Sequence, residues 1–338
     1  MAQPPVSIII TPRERYTWTR PSVLSVLDGL DKSIEVIFVA GNAPPEALAF
    51  LQTIKKKRPK FAVVRAERYL RANEARNLGL GKIRKGNDVV FIENDVIVKK
   101  GWLENMVRCS RASGADIVSP VIYEGEPSDP DPQCHITGAY FIREGPGKNG
   151  RIIGMEHILD HQRPPGPLLH ARVFDVVEFH CLWIRRKFLD QVSLKSNYSG
   201  LFAHLDICLQ AGEKGAKIVV EPKARVFFTN PAFVPIQSRE DFQFLIFQWN
   251  ERECLERVRV MRRDWGMIFE KKVFRGYQDW ARYYKGMIFA SFGILGAAER
   301  FIYRMSRFAA FPGWARKGLE DYLTAKIERK FKWERFVI

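Results

Sequence analysis

Four short apolar runs rich in β-branched residues fall within the first 95 positions, and their alternation with helical segments constrains the fold more than any other feature. Val6-Ser7-Ile8-Ile9-Ile10 is stopped by Thr11-Pro12, and Ile34-Glu35-Val36-Ile37-Phe38-Val39 ends in the turn-rich Gly41-Asn42-Ala43-Pro44-Pro45. Phe61-Ala62-Val63-Val64 and Asp88-Val89-Val90-Phe91-Ile92 complete the set. Runs that are almost wholly apolar read as strands covered on both faces. Helical patterns lie between them, near 21–30, 48–54 and 74–81. This repetition predicts βαβ units and an α/β fold built on a doubly wound, Rossmann-like sheet. Ligands of such sheets bind beyond the carboxyl ends of the strands. The fourth run leaves Glu93-Asn94-Asp95 at that place.

Further along, the stretch 124–167 is rich in Pro, Gly and Asp and reads as a long excursion over the site. Order returns over 173–183, followed by a helix, a late strand at Ile218-Val219-Val220-Glu221-Pro222 and a Phe/Leu-rich helix over about 239–260. The composition then changes. With 338 residues the chain has room for a catalytic domain over 1–262 and a helical, basic and aromatic region over 263–338. Five scattered cysteines without a CxxC pair favour a reducing compartment. The opening MAQPPVSIII has no signal-peptide pattern, so a cytoplasmic location is expected.

The balance of 54 Lys+Arg against 38 Asp+Glu, a formal +16, calls for a polyanion. Residues 282–318 hold seven basic side chains against the single acid Glu299, a local +6, among nine aromatics. Arg300, Arg304 and Arg307 share one helical face. The uncharged stretch 286–298 is too short to span a bilayer, which needs about 20 apolar residues. The pattern fits a helix lying on an anionic membrane surface; the alternative is an amphipathic helix packed on the catalytic domain with a solvated basic face. No nucleic-acid-binding module is recognisable, so no nucleic acid partner is expected.

Glu93 and Asp95, one residue apart at a strand end, suit a hard divalent cation that also binds phosphate oxygens, Mn²⁺ or Mg²⁺. From about Val6 to Asp264 the chain resembles the family 2 glycosyltransferases, which have the GT-A fold. The resemblance rests on ordered segments: the opening strand to Thr11-Pro12, Asn73-Glu74-Ala75-Arg76-Asn77-Leu78-Gly79-Leu80, and Phe91-Ile92-Glu93-Asn94-Asp95 in the place of the DxD motif. Glu178-Phe179-His180-Cys181-Leu182-Trp183-Ile184-Arg185-Arg186 is similar to the acceptor-side strand. His204-Leu205-Asp206-Ile207-Cys208-Leu209, then Gly215 and Glu221-Pro222, is similar to the acidic helix and the Glu-Pro strand.

The resemblance implies inverting transfer of a sugar from a nucleoside diphosphate sugar, of UDP or GDP type, to a hydroxyl of a lipid-linked or polysaccharide acceptor. It implies Asp95 as a metal ligand, Glu93 as a ligand or ribose contact, and Thr11, Pro12, Arg13 and Asn94 facing the nucleotide. Arg76 would serve the diphosphate or the metal-site carboxylates, and peripheral attachment to the inner membrane face is expected.

Three departures stand out. Strand two ends in Ala40-Gly41-Asn42 without an Asp for the base. The first DxD acid is Glu93. The usual Glu-Asp pair that seats the general base reads Ala203-His204, with Asp206 two positions on. His204 can accept a proton near neutral pH; Asp206 could act itself, or orient the imidazole if the backbone there is not helical. Otherwise His204 packs or binds phosphate while Asp206 caps a helix. Glu178 and His180 alternate about Phe179 and are expected to line the acceptor side, with Trp249. Processive synthases keep Gln-x-x-Arg-Trp near that tryptophan, but Leu245 and Gln248 occupy the Gln and Arg places, which favours single addition. Glu156-His157 with His161 reads either as a metal cluster or as a surface loop near the acceptor. Lys55-Lys56-Lys57-Arg58 with Lys60 reads as a solvated helix end, the alternative being a nucleic-acid patch, and Gly79-Leu80-Gly81-Lys82 lacks phosphate-loop spacing. A non-catalytic nucleotide-sugar-binding or membrane-scaffold protein that retains the fold is the competing class, favoured by Ala203 and Ala40.

Overall fold

In a computed structural model of the chain, which describes residues 5–145, 150–164, 170–229, 236, 238–266, 269–293, 295–306 and 312–333, the first apolar run forms β1 (Val6–Thr11). Every residue of it is buried, as a strand covered on both faces requires. β2 (Glu35–Gly41), β3 (Phe61–Ala66) and β4 (Asp88–Glu93) follow, joined by α1 (Thr19–Leu27), α2 (Pro45–Lys57) and α3 (Ala72–Leu80). The four strands are parallel in the order β3-β2-β1-β4, the arrangement expected of βαβ units. A Cβ on Gly79 would meet Ile9 Cγ2 at 2.5 Å, so glycine lets α3 lie directly on β1.

Beyond β4 the sheet becomes mixed. β5 (Val96–Val98) and α4 (Trp102–Ser113) lead to β6 (Ile117–Glu124). The excursion expected over 124–167 contains β7 (Cys134–Ile136), β8 (Gly138–Glu144) and β9 (Arg151–Ile158), the last two paired as a separate two-stranded sheet; its residues 146–149 and 165–167 lie outside the described residues. β10 (Arg172–Val173), β11 (Cys181–Ile184), α5 (Arg186–Leu189), α6 (Leu201–Glu213) and β12 (Ile218–Phe228) follow. β11 runs antiparallel between β4 and β6, and β12 lies parallel beside β6.

The single helix expected over 239–260 is two, α7 (Arg239–Trp249) and α8 (Glu251–Trp265). Asn250 breaks it: its backbone is extended and its side chain accepts from Glu253 N at 2.9 Å, capping α8. The tail forms α9 (Lys271–Ser291), α10 (Ala297–Ser306) and α11 (Gly313–Lys330). None of the helices among the described residues is long and apolar enough to cross a membrane.

The chain divides into two compact units, one mainly of Met1–Ile142 and Met155–Thr229, the other of Arg143–Gly154 and Asn230–Phe336. The boundary expected at 262 falls inside the second unit, within α8. That unit has its own core, in which Phe242, Leu245, Phe289, Phe292, Leu323 and Ile327 pack together. Buried charge is also internal to it. Glu251 lies 2.9 Å from both Arg282 and Arg316, and Lys285 lies 2.7 Å from Glu320. Three of the seven cations counted for the 282–318 surface are therefore buried and paired. Arg307, Phe308 and Phe311 lie outside the described residues.

Candidate active site

β1 and β4 end in register, Thr11 opposite Glu93, which brings the loop after β1 against the Glu93-Asn94-Asp95 turn. Thr11 is buried and its carbonyl accepts from Asn94 N at 3.0 Å; Pro12 is buried beside it. Asn94 fixes the loop. Its Oδ1 accepts from Arg13 N, and its Nδ2 donates to Arg15 O and Thr19 Oγ1, both at 2.8 Å. With no exposed surface and its amide committed on both ends, Asn94 shapes the crevice from behind.

The two acids do share one crevice, as their spacing suggests. Arg13 Nε lies 3.1 Å from Asp95 Oδ2 and 3.7 Å from Glu93 Oε2, with its guanidinium 4.4 Å from the centroid of the Phe228 ring. Arg76 reaches Glu93 Oε1 at 3.2 Å from the other side and is sandwiched on the ring of Phe179, 3.8 Å away. Burial lowers Arg76 to about 10, against the pull of Glu93, so it remains a cation at neutral pH.

The antiparallel register of β11 on β4 sets Cys181 opposite Ile92, so the residues just before β11 arrive at the acids. His180 Nδ1 lies 2.7 Å from Glu93 Oε2, and His180 Nε2 lies 3.0 Å from Glu178 Oε2. Glu178 and His180, which flank Phe179, meet each other, and His180 joins Glu178 to Glu93. Burial opposes the charge on His180, but the two flanking carboxylates outweigh it and raise the imidazole to about 9. Burial likewise opposes ionisation of Glu93, which His180, Arg13 and Arg76 nevertheless hold down at about 2. Asp95 is different: burial raises it, with Arg13 opposing and Glu93 adding to the rise.

His204 projects from α6, nearly buried, with Nδ1 3.8 Å from Glu178 Oε1. Burial lowers its pKa against the pull of Glu178, which favours the neutral imidazole. Asp206 is fully buried and accepts from Gln210 Nε2 at 2.8 Å, one helical turn on. The backbone is helical through both residues, so their side chains leave α6 about 200° apart, since each residue turns the helix by ~100°. The orienting role that a non-helical backbone would give Asp206 is thereby removed; Glu178 is the carboxylate beside His204. It also lies 3.2 Å from His135 Nε2, and its three histidine neighbours hold it well below the usual carboxylate range in spite of burial.

Phe228, at the end of β12, packs on His180 with ring centroids 4.3 Å apart and on His135 at 4.9 Å. Neither Phe228 nor His135 is signalled by local pattern, because strand pairings distant in sequence bring them here. Trp249 lies in the second unit, buried against the rings of Trp280 and Tyr284. At the end of β2, Tyr16 Oη donates to Gly41 O at 2.6 Å, and a Cβ on Gly41 would meet Leu70 Cγ at 2.8 Å, so a close approach occupies the place of the missing Asp.

The acids fit a divalent cation. Asp95 Oδ1 is buried without a hydrogen-bond partner, Glu93 Oε2 faces His180 Nδ1 at 2.7 Å, and ligand atoms of Glu93, Asp95 and His180 lie within 4.8 Å of one another. The two carboxylates suit Mn²⁺ or Mg²⁺.

Residues 7–166 match the family model described as glycosyl transferase family 2. No curated protein matches the sequence. Among solved structures, the chain is similar to GalNAc-T7 crystallised with UDP, GalNAc and Mn²⁺, at 15% identity and a TM-score of 0.52, over 82% of this chain and 54% of that one. It thus spans about half of that chain's length. It is also similar to S. aureus TarS 1–349, at 14% identity and a TM-score of 0.47, over 98% of this chain and 94% of that one. The complex of TarS 1–349 with UDP-GlcNAc gives 12% identity and a TM-score of 0.48 with the same coverage.

Proposed function

We propose that the protein transfers a sugar from a nucleoside diphosphate sugar, of UDP or GDP type, to a hydroxyl of a lipid-linked or polysaccharide acceptor, a reading supported by the match of residues 7–166 to the glycosyl transferase family 2 model and by the GT-A-like fold. The observation that carries this reading is the crevice beyond β4, where the buried carboxylates of Asp95 and Glu93 face Arg13 and Arg76, Asp95 Oδ1 has no hydrogen-bond partner, and Glu178 links His180 to His204.

The reaction is an inverting single displacement. The acceptor oxygen bonds to the anomeric carbon as the bond from that carbon to the diphosphate oxygen breaks, and the acceptor proton passes to His204. Burial favours the neutral imidazole of His204, which can accept it. Glu178, beside Nδ1, stabilises the imidazolium that forms. Negative charge gathers on the departing diphosphate, where Arg13 supplies a partly exposed cation and Arg76 a fixed one. Asp95 and Glu93 would hold Mn²⁺ or Mg²⁺, which would supply further positive charge at the diphosphate.

The second unit supports attachment to an anionic membrane surface at its inner face. α10 exposes Phe301 (63%), Ile302 and Met305, and Trp314 at the start of α11 is 82% exposed, with Arg300 and Arg304 exposed on α10. Apolar side chains among cations are the composition of an interfacial helix.

A thermal-shift screen of UDP and GDP with and without Mn²⁺ tests the reading, because a ligand that binds only the folded state raises its stability. A cation-dependent shift with one nucleotide is expected. Absence of any shift with both would overturn it.

A further inference from the structure

The sheet edge holds a second histidine–carboxylate cluster, outside the Asp95 crevice, built from three separate parts of the chain. Glu124 ends β6, His135 sits in β7, and His161 lies in the turn after β9. Glu124 Oε1 lies 3.0 Å from His135 Nδ1 and 3.0 Å from His161 Nδ1, and the three groups offer ligand atoms all within 4.8 Å of one another. We infer that Glu124, His135 and His161 form a second metal site, for a borderline divalent transition cation of the Zn²⁺ type, that ties the turn at 159–162 to β6 and β7.

Three observations carry this. First, the spacing suits a shared ion: with metal–nitrogen and metal–oxygen bonds of ~2.0–2.2 Å, neighbouring ligand atoms stand about 3.0–3.5 Å apart. Two imidazoles and one carboxylate are a known zinc-binding set that leaves a position open. Secondly, both imidazoles have a carboxylate near their far nitrogen. His135 Nε2 lies 3.2 Å from Glu178 Oε2, and His161 Nε2 lies 3.7 Å from Asp160 Oδ1. At His135 this is the carboxylate–histidine arrangement that orients an imidazole as a metal ligand.

Thirdly, the backbone is held to present His161. His161 N donates to His135 O at 3.1 Å, Cys134 N donates to Gln162 O at 2.8 Å, and both Leu159 (φ 56°) and His161 (φ 50°) adopt the left-handed region. Such conformations in non-glycine residues cost about 1–3 kcal/mol each and persist where surroundings impose them. His161 is half-exposed and gives the ion a path in, whereas the alternative grouping of His135, Glu178 and His180 leaves Glu178 shared between two histidines. Glu156 and His157, named with His161 from the sequence, lie outside this group, both exposed.

Because Glu178 contacts both His135 and His204, an ion here also fixes the carboxylate that stands beside the proposed base. The site itself rests on these contacts and not on the transfer reaction. The test uses the full chain carrying Asp95→Ala, stripped with chelator and titrated with Co²⁺ as the visible probe. One equivalent should bind, with d–d absorption of mixed nitrogen and oxygen ligation and a raised Tm. Adding His161→Ala or Glu124→Gln should abolish both signals, and Glu178→Gln should weaken binding about 10–100-fold through the lost outer contact. With Asp95 intact, His161→Ala should lower the Co²⁺ stoichiometry by one, which keeps the test sound if Asp95→Ala fails to fold. No Co²⁺ uptake by folded Asp95→Ala protein, or uptake indifferent to His161→Ala, would overturn the site.

Discussion

Arg13 Nε lies 3.1 Å from Asp95 Oδ2, so the carboxylate best suited to bind a cation is already partly neutralised by the chain's own arginine. On the proposed reading, a divalent ion would have to compete with Arg13 for Asp95, and a bound diphosphate would offer the guanidinium another partner. Like charges ~4 Å apart repel by about 4 kcal/mol at an effective dielectric of ~20. Arg13→Gln should accordingly bind Mn²⁺ at least about tenfold more tightly without nucleotide, tenfold being only ~1.4 kcal/mol, while nucleoside diphosphate binds more weakly. Calorimetric titration of each ligand checks both; weaker Mn²⁺ binding in the variant contradicts the competition.

His204 and Asp206 separate by their surroundings. General-base catalysis contributes about 10²–10⁴-fold, so His204→Ala should lose that much in kcat with donor affinity little changed. Asp206→Asn keeps the packing and weakens a contact to Gln210, so its effect should appear in thermal stability and leave kcat near the original. An unchanged kcat in His204→Ala would shift the base to another group. Because burial holds His204 below its ordinary pKa, kcat should fall toward acid with its inflection below ~6.5.

The His180–Glu93 contact makes stability depend on alkali. His180 is raised to about 9 in the folded protein, against an ordinary value of ~6.5 unfolded. A raised cationic pKa contributes stability that is complete below the unfolded value and is lost as pH rises through the folded one. The urea midpoint should therefore decline between about pH 6.5 and 9, by on the order of 3 kcal/mol in unfolding free energy at most, counted once for the pair. His180→Gln should flatten that decline. A midpoint constant over the interval in the original protein would show that His180 is not held as a cation.

How much of this was legible depended on the range of the interactions. β1 to β4 were readable because each is a local apolar run, and Glu93 and Asp95 because a strand end fixes where neighbouring residues point. Splitting of the 239–260 helix was signalled locally by Asn250, a capping residue that the surrounding apolar pattern obscured. His135, Glu124 and Phe228 were not readable as site residues, since pairings of β6 with β7 and β12, far apart in sequence, deliver them. The charge count misled for a related reason. Arg282, Lys285 and Arg316 look like surface cations until Glu251 and Glu320 arrive from other helices.

That buried network gives a stability prediction. Glu251 is 5% exposed and meets Arg282 and Arg316 at 2.9 Å and Lys285 at 3.8 Å. Removing one partner of a buried pair leaves uncompensated charge and costs about 3–5 kcal/mol. Glu251→Gln should lower the denaturation midpoint of the second unit by that order. Asp279→Asn, altering an exposed partner of Arg282, should have little effect. Equal effects of the two substitutions would mean that the network is solvated.

Membrane attachment, if it uses this unit, must draw on the cations that remain at the surface. Flotation with anionic vesicles should fall when Arg300 and Arg304 are replaced by Gln, each basic residue near such a surface contributing about 1 kcal/mol. It should fall further with Phe301→Asp and Trp314→Asp, which remove the exposed apolar side chains. Raising salt should weaken the first contribution and leave the second, because screening acts on charge and not on burial of apolar area. Flotation that persists in the combined variant would assign attachment to another surface, or to the acceptor itself.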